Sequence, residues 1–199
     1  MQPLVVQQPL LLLPLEGSYV LWIVLEVTRE IRQSKRFRAG VQRQDRGSHA
    51  VLIGLIVLGL ALCATLAFVV PATAITSARE LFFWLGILLV YVGIAVRRYA
   101  IKTLGASFTT VVATASEQHI VEAGPYKLIR HPAYTGLLIT LIGFGLCYTN
   151  WLSLLALMGC LLLGFSYRIH VEERALQERF GQRYQEYMQR TKRLIPFVM

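Results

Sequence analysis

Charged residues are scarce in this 199-residue chain, and their scarcity excludes a soluble domain. Only 16% of the residues are charged, whereas 55% are hydrophobic and many of these fall in long runs. A typical soluble domain has about 25% charged residues. The composition therefore predicts an all-α integral membrane protein that crosses the bilayer several times.

Metal-binding and disulfide patterns are also missing. The cysteines Cys63, Cys147 and Cys160 lie in or beside apolar runs without a CxxC spacing, so buried and unreactive thiols are expected. The four histidines never form the paired spacing of a zinc site. We therefore expect no bound metal.

Ionisable residues are absent from the middles of the hydrophobic segments between residues 51 and 167. Carriers usually place polar groups near the membrane midplane, so this absence disfavours a transporter. A dinucleotide-binding turn is missing too, because Gly143-Phe144-Gly145 lies inside an apolar run rather than between a strand and a helix. Any chemistry of this chain is therefore expected at the membrane interface.

The chain does contain hydrophobic segments suited to membrane helices. Residues 50–70, 81–96, 133–148 and 151–167 are predicted to cross the bilayer. The last three segments are short for a hydrocarbon core of roughly 30 Å, so they are expected to extend into their flanks or to be shielded by protein. The final helix is expected to continue beyond Arg168.

The N-terminal segment allows two interpretations. Residues 10–27 are long enough to span the bilayer but contain Pro14 and Glu16. Alternatively, the segment lies at the interface and leads into an amphipathic helix, with Tyr19 and Trp22 at the lipid headgroups. About five membrane helices are therefore expected, or four if this segment is interfacial.

Basic residues are concentrated on one predicted face of the membrane. Of the 20 lysines and arginines, only Arg79 falls in a loop on the opposite face. Because cytoplasmic loops collect basic residues, the C-terminus and the charged clusters are predicted to be cytosolic, in the inner membrane of a bacterium or the endoplasmic reticulum of a eukaryote. The net charge of +9 then reflects orientation and anionic headgroups, and nucleic-acid binding is not expected.

Two charged stretches flank the predicted hairpin of the last two spans. The first, residues 124–136, contains Arg130 and His131, and the second contains Arg168 with Glu172 four residues later. A helical hairpin returns both stretches to one membrane face. Guanidinium groups beside a carboxylate suit an anionic ligand that also carries an ammonium group, but arginines that extend to lipid phosphates show the same pattern.

Proline and tyrosine in the first stretch favour a more specific role. Pro132 at a helix's first turn presets the backbone, and the amides behind it can meet an anionic group. Tyr126 and Tyr134 flank the basic pair. They form either an ordinary aromatic belt at the interface or a cage for a cationic or heteroaromatic ligand.

Several short motifs follow one another in the C-terminal half of the chain. They are Arg97, Leu104-Gly105-Ala106-Ser107-Phe108, His119-Ile120-Val121, Gly124-Pro125-Tyr126, Arg130-His131-Pro132-Ala133-Tyr134, Gly136, Arg168, Glu172-Glu173, Phe180-Gly181, Tyr184, Tyr187 and Pro196. Their order and spacing resemble the isoprenylcysteine carboxyl methyltransferase family, with its phospholipid methyltransferase relatives. The resemblance covers about residues 97–197, which it implies are a methyltransferase core. The chain has no internal repeat or low-complexity linker, which predicts a single membrane domain over residues 1–199, with a C-terminal amphipathic helix and tail in residues 168–199.

By that resemblance, the chain is a membrane enzyme that binds S-adenosylmethionine in a cytosolic pocket formed by the last two helices and their flanking loops. The residues implied to contact this cofactor are Gln118, His119, Ile120, Val121, Tyr126, His131, Pro132, Ala133, Tyr134 and Glu172. Arg97 and Arg168 are implied to be catalytic and to face the methyl acceptor. The implied acceptor is the carboxylate of a prenylated cysteine or a similar lipid-linked molecule, either small or at a protein C-terminus, and no obligate protein partner is inferred.

Two other functions stay open at this point. The first is N-methylation of a phospholipid amine headgroup, although Arg97 and Arg168 suit a carboxylate better. The second is a non-catalytic membrane scaffold or carrier that has kept the fold, since fold alone does not fix function.

The sequence after the last span has an amphipathic pattern. Leu176, Phe180, Tyr184 and Met188 recur every four residues, which predicts a helix with one apolar face. This helix is either an interfacial anchor or a lid over the cofactor, with Gly181 as its flexible point.

Overall fold

The computed structural model describes residues 3–37, 47–105 and 120–195, and most of this part of the chain is helical. The helices are α1 (Leu4–Gln7), α2 (Leu12–Phe37), α3 (Ser48–Val69), α4 (Arg79–Leu104), α5 (Pro132–Cys147), α6 (Trp151–Phe180) and α7 (Gln182–Arg190), with 3-10 turns at Pro9–Leu11, Pro71–Thr73 and Gly124–Lys127. The prediction of an all-α membrane protein is confirmed.

Five of the helices have the composition of membrane helices. Four are long enough to cross a bilayer, namely Pro9–Arg32, Ser48–Val69, Arg79–Leu104 and Trp151–Phe180, and a shorter apolar helix covers Pro132–Cys147. The N-terminal segment is one of the four, which favours its interpretation as a span. Pro14 does not interrupt it, because this residue lies in the first turn of α2, where its missing amide hydrogen is not needed.

The lengths of α4, α5 and α6 follow from the short apolar runs. Helices α4 and α6 extend beyond their runs to Leu104 and Phe180, as predicted. Helix α5 keeps 16 residues, about 24 Å at 1.5 Å per residue. Most of its residues are buried inside the protein, so this helix is shielded from lipid rather than extended.

Small residues let α4 and α5 pack with their backbones close together. A Cβ atom added to Gly93 of α4 would lie 2.4 Å from the Thr140 amide nitrogen. A Cβ atom added to Gly136 of α5 would lie 2.5 Å from the Arg97 amide nitrogen. Contacts of this kind through small residues are typical of membrane helices. They place Arg97 directly against the second turn of α5.

The hairpin between α5 and α6 is closed by an asparagine. Asn150 is the N-cap of α6, and its Oδ1 accepts a hydrogen bond from the Ser153 amide at 3.0 Å. Its Nδ2 donates to the Val70 carbonyl oxygen at 3.1 Å, which connects the turn to the end of α3. The hairpin returns the two charged stretches to the same end of the bundle, as predicted.

The C-terminal segment folds back onto the loop before α5. Gly181 separates α6 from α7 with a φ of +54°, a conformation that favours glycine. Beyond α7, the Arg130 amide donates to the Lys192 carbonyl oxygen at 2.7 Å, and the His131 amide donates to the Arg193 carbonyl oxygen at 3.0 Å. The expected C-terminal amphipathic helix is therefore divided in two, because the backbone turns at Gly181.

Candidate active site

A cavity of about 500 Å³ lies among the charged ends of the helices. Its volume is within the range of about 300–1,000 Å³ that is usual for small-molecule sites. Every long helix contributes to its walls, which are formed by Trp22, Glu26, Val27, Arg29, Glu30, His49, Leu52, Ile53, Ile56, Val57, Arg97, Leu104, Ile120, Val121, Tyr126, Arg130, His131, Ala133, Tyr134, Leu137, Arg168, Glu172, Leu176, Phe180, Tyr184 and Tyr187. The cavity therefore has a polar part and an apolar part.

In the polar part, Arg168 is fixed by side chains from α3, α5 and α6. Its Nη1 donates to the Ser48 hydroxyl at 2.6 Å, and its Nε donates to the Tyr134 hydroxyl oxygen at 3.0 Å. Tyr134 in turn donates to Glu172 Oε2 at 2.7 Å, and Arg168 Nε lies 3.7 Å from the same oxygen. Only 1% of Arg168 is exposed, and a guanidinium so buried requires such partners. The network fixes the side chains of both Arg168 and Glu172.

Arg97 is held by a bidentate ion pair with the N-terminal helix. Its Nε and Nη2 donate to the two oxygens of Glu26 at 2.6 and 2.9 Å, and its Nη1 donates to the Ala133 carbonyl oxygen at 2.8 Å. Because a guanidinium has five N–H groups, these contacts engage three of them. Glu26 also accepts a hydrogen bond from Arg29 at 2.7 Å, so one carboxylate serves two arginines.

The next carboxylate on α6, Glu173, lies outside the cavity and contacts two arginines and a histidine. Its Oε1 accepts a hydrogen bond from Arg130 Nε at 2.9 Å and lies 3.4 Å from His131 Nε2. Its Oε2 accepts from Arg193 Nε at 3.1 Å. Glu173 is only 4% exposed. The cluster joins α6, the loop before α5 and the C-terminal segment. Its role is therefore to stabilise the fold.

Tyrosines from the loop before α5 and from α7 cover one side of the cavity. The Tyr187 hydroxyl donates to the Tyr126 carbonyl oxygen at 2.8 Å, and the rings of Tyr184 and Tyr187 lie 5.9 Å apart between centroids. Burial raises the pKa of all three phenols well above its ordinary value. They therefore stay neutral at physiological pH and offer aromatic faces to a ligand.

The structure brings most of the predicted site residues to this cavity. Those on its walls are Arg97, Ile120, Val121, Tyr126, His131, Ala133, Tyr134, Arg168 and Glu172. Pro132 is buried at the first position of α5, as its predicted place in the helix requires, and does not line the cavity. Gln118 and His119 lie outside the described residues.

Helices α2 and α3 contribute residues to the site that were not predicted from the sequence. Glu26 and Arg29 of α2 line the cavity, and Ser48 of α3 fixes Arg168. One signal for Glu26 was present, because a carboxylate in an apolar helix is costly and requires a partner. The partner itself, Arg97, is 71 residues away, and no local pattern identifies it.

The chemistry of the walls defines the kind of ligand that fits. In the described part of the chain, no group of three or more His, Cys, Asp or Glu side chains could hold a metal ion. The arginines can meet an anionic group, and Glu172 can meet a cationic group. The apolar residues of α2 and α3 can meet a hydrocarbon chain. A ligand with an anionic end and an apolar tail, beside a second ligand with an ammonium group, matches these walls.

Comparisons with known proteins identify the family to which these features belong. The model of the isoprenylcysteine carboxyl methyltransferase (ICMT) family matches residues 84–178. The chain is 36% identical over 139 residues to a probable protein-S-isoprenylcysteine O-methyltransferase of Oryza sativa subsp. indica, a match that covers 68% of this chain and 73% of that protein. It is 38% identical over 141 residues to the protein-S-isoprenylcysteine O-methyltransferase of Saccharomyces cerevisiae, covering 68% and 59%.

The fold is also similar to a solved structure. That structure is of the eukaryotic intramembrane Ras methyltransferase ICMT, and the match has a TM-score of 0.58 and 29% sequence identity. It covers 72% of this chain and 51% of the other, so the chain spans about half the length of that protein. The segment that the family model matches includes Arg97, Tyr134, Arg168 and Glu172, all on the cavity wall.

Proposed function

The chain belongs to the isoprenylcysteine carboxyl methyltransferase family, and on that premise we propose that it O-methylates the carboxylate of a prenylated cysteine or a similar lipid-linked acceptor. The family implies a methyl donor, which we propose is S-adenosylmethionine. The observation that supports the proposal most directly is the meeting of Arg97, Arg168 and Glu172 on a cavity whose other walls are largely apolar.

Glu172 and the neighbouring tyrosines fit such a donor. Tyr134 engages one oxygen of Glu172, and no described hydrogen bond engages the other, so Glu172 can pair with the α-amino group of the donor. Tyr126 and Tyr134 would lie against the adenine or the sulfonium, since a cation is attracted to an aromatic face. S-adenosylmethionine supplies an electrophilic methyl group on that sulfonium when it is bound.

The loop before α5 would complete the donor site. Ile120, Val121, His131 and Ala133 lie on the same cavity wall, and we propose that they surround the remainder of the donor. The proposed contacts of Gln118, His119 and Pro132 depend on the family resemblance alone.

The acceptor carboxylate needs orientation rather than activation. Its pKa near 4 means that it is already ionised at neutral pH, so transfer requires in-line placement and no general base. Arg97 has two N–H groups beyond those that Glu26 and Ala133 engage. We propose that these two groups and Arg168 orient the acceptor. Because Glu26 partly neutralises Arg97, the acceptor is held without the excessive ground-state binding that would slow transfer.

The hydrocarbon chain of the acceptor is proposed to lie between α2 and α3. Val27 of α2 and Ile53, Ile56 and Val57 of α3 line this part of the cavity. Apolar surface buried there contributes about 25 cal/mol per Å². With its chain between these helices, the acceptor presents its carboxylate at the polar end.

Charge placement supports an orientation in the membrane. We propose that the cavity and the C-terminus face the cytosol, because Arg79 is the only one of the 20 basic residues whose place in the sequence falls in a loop of the opposite face. The membrane would be the inner membrane of a bacterium or the endoplasmic reticulum of a eukaryote. The proposed single domain over residues 1–199 contains a core in residues 97–197, and the C-terminal part in residues 168–199 covers the cavity through Phe180, Tyr184 and Tyr187.

A methyl-transfer assay on the purified protein in nanodiscs tests this function. S-adenosylmethionine with a labelled methyl group is supplied with either a farnesylated cysteine or phosphatidylethanolamine. We expect a base-labile methyl ester on the cysteine and no methylation of the amine. N-methylated lipid would favour the phospholipid methyltransferase alternative, and a folded protein that binds no donor in calorimetry would favour the scaffold.

The donor site is tested by Glu172→Ala with Glu178→Ala as its control. Both residues are on α6, but Glu178 is exposed and does not line the cavity. We expect calorimetry to show loss of S-adenosylmethionine binding in the first variant and unchanged binding in the second. Equal affinity in both variants would contradict the assignment of Glu172.

A further inference from the structure

A second cavity, of about 580 Å³, lies between α2 and α4 beside the proposed active site. Its walls carry five cationic side chains and one carboxylate, which are Arg29, Arg32, Arg97, Arg98, Lys102 and Glu26. The proposed methyl transfer uses only the wall that the two cavities share, so most of this charge has no role in that reaction.

The ion pairs of this cavity leave an excess of positive charge. Glu26 is shared between Arg97 and Arg29, with contacts at 2.6 and 2.7 Å, and Arg29 also pairs with Glu30 at 3.3 Å. Arg32, Arg98 and Lys102 are exposed, and the described residues offer them no ion pair. Arg98 and Lys102 are four residues apart on one helix face, where like charges repel. An anion between the two helices would relieve this repulsion.

The apolar walls indicate that the anion belongs to an amphiphile. Trp22 and Leu25 of α2 and Ile94 of α4 line the same cavity and precede its charged residues on each helix, toward the membrane spans. Ile101 adds an apolar side chain between Arg98 and Lys102. The Trp22 indole N–H is a buried donor with no partner in the described part of the chain. A free inorganic anion would use the cations but would leave these walls exposed.

One feature of α4 opposes an anion at this position. The cavity reaches Gly105 at the C-terminal end of α4, where the helix dipole is negative. Lys102 in the last turn offsets the dipole, and the effect of the dipole falls off within about one turn. Arg98 lies about two turns before Gly105, so the positive charge of the side chains prevails.

We propose that this cavity binds the phosphate headgroup of an anionic phospholipid, whose acyl chains lie along α2 and α4. Basic pockets between membrane helices on the cytoplasmic side suit such headgroups. The site shares the wall of Glu26 and Arg97 with the proposed acceptor site, but its test does not require methyl transfer.

Native mass spectrometry of the detergent-solubilised protein tests the site directly. Phosphatidylglycerol and phosphatidylcholine are added in equal amounts, and the retained lipid is counted. We expect retention of phosphatidylglycerol to exceed that of phosphatidylcholine by about tenfold, because only the former has a net negative charge. Retention should fall as ionic strength rises, since exposed charges are screened over about 10 Å at 0.1 M salt. Equal retention of the two lipids would overturn the proposal.

A triple variant, Arg32→Gln with Arg98→Gln and Lys102→Gln, removes the exposed charges without touching the shared wall. Its control replaces three exposed cations outside the cavity, Lys127→Gln with Arg174→Gln and Arg183→Gln. We expect the first variant to lose the preference for phosphatidylglycerol and the control to keep it. A similar loss of the preference in both variants would show that it depends on the overall charge of the protein, and would overturn the assignment of this cavity.

Soluble glycerol phosphate distinguishes the two sources of the anion. We expect a large excess of it to leave the bound phosphatidylglycerol in place, because it lacks the acyl chains that meet the apolar walls. Displacement at concentrations similar to those of the lipid would contradict the lipid assignment. Thermal unfolding of both triple variants provides the folding control, and both should unfold close to the wild-type temperature because all six positions are exposed.

Discussion

Glu172 and Glu173 are neighbours on α6, yet they have opposite environments. Glu172 lines the cavity, with one oxygen bonded to Tyr134. Glu173 is buried among Arg130, His131 and Arg193, which contact both of its oxygens. A carboxylate with one oxygen free of protein hydrogen bonds can bind a ligand, whereas a carboxylate with both oxygens paired serves to stabilise the fold. Rotation about the helix axis, and not residue type, therefore decides which of two adjacent carboxylates can have a functional role.

The largest effect is expected when the closed cluster, which consists of Glu173 with Arg130, His131 and Arg193, loses its carboxylate. Glu173→Ala leaves the Arg130 guanidinium buried without its carboxylate, and loss of one partner of a buried pair costs about 3–5 kcal/mol. We expect a lowered free energy of unfolding in a thermal or denaturant unfolding experiment. The loop before α5 should also become sensitive to proteolysis, because the cluster attaches it to α6.

Glu178→Ala, on the same helix but exposed, is the control for Glu173→Ala. An unfolding free energy within about 0.5 kcal/mol of the wild type in both variants would remove the distinction between the two carboxylates.

The second-largest effect is expected on donor affinity, when the charge of Glu172 is removed. Glu172→Gln preserves the shape of the side chain and can accept the hydrogen bond from Tyr134, but it removes the charge that would pair with an ammonium group. Hydrogen bonds to charged groups contribute about 1.5–3 kcal/mol, so we expect the affinity for S-adenosylmethionine to fall by about tenfold or more. Calorimetry measures this change, and the unfolding free energy should fall less than in Glu173→Ala, because the glutamine still accepts the hydrogen bond from Tyr134. A lowered free energy of unfolding with unchanged donor affinity would show that Glu172 stabilises the fold and does not bind the donor.

A smaller effect is expected at Glu26, which resembles Glu173 in its pairing but lies on the cavity wall. Glu26→Gln keeps a hydrogen-bond acceptor beside Arg97 and removes its counter-charge. The acceptor carboxylate should then bind more tightly, with KM and kcat both lowered by up to about tenfold, the equivalent of about 1.4 kcal/mol. Steady-state kinetics with a farnesylated cysteine separate the two parameters. A raised KM with unchanged kcat would instead show that Glu26 itself contributes to acceptor binding.

Much of the fold was predictable because membrane helices are specified locally. The apolar runs defined the spans, and Pro132 marked the start of α5. The short runs of α4 and α6 predicted helices that either extend or are shielded by protein, and the two helices extend to Leu104 and Phe180. The break at Gly181 was anticipated only as a flexible point. Its φ of +54° is one that glycine adopts readily, but the hydrogen bonds of the C-terminal segment with the loop before α5 join residues about 60 positions apart, which no local pattern encodes.

The site was predictable in part, and for a similar reason. The i, i+4 spacing of Arg168 and Glu172 placed them on one helix face, and both line the cavity. Ser48 and Glu26 were not predicted, since their contacts with Arg168 and Arg97 join residues 120 and 71 positions apart. Such contacts depend on how whole helices are rotated and packed, and the hydropathy of a single helix carries no information about its neighbours.

The smallest effect is expected where α7 meets the loop before α5. Tyr187→Phe removes the hydrogen bond from the Tyr187 hydroxyl to the Tyr126 carbonyl oxygen, and a typical hydrogen bond contributes about 0.5–1.5 kcal/mol. Because the Glu173 cluster still attaches the loop, Tyr126 should keep its place on the cavity wall. We therefore expect a modest loss of unfolding free energy and a change in donor affinity of no more than about threefold, with exposed Tyr167→Phe as the control. A tenfold loss of donor affinity would show that α7, and not the closed cluster, determines the position of Tyr126.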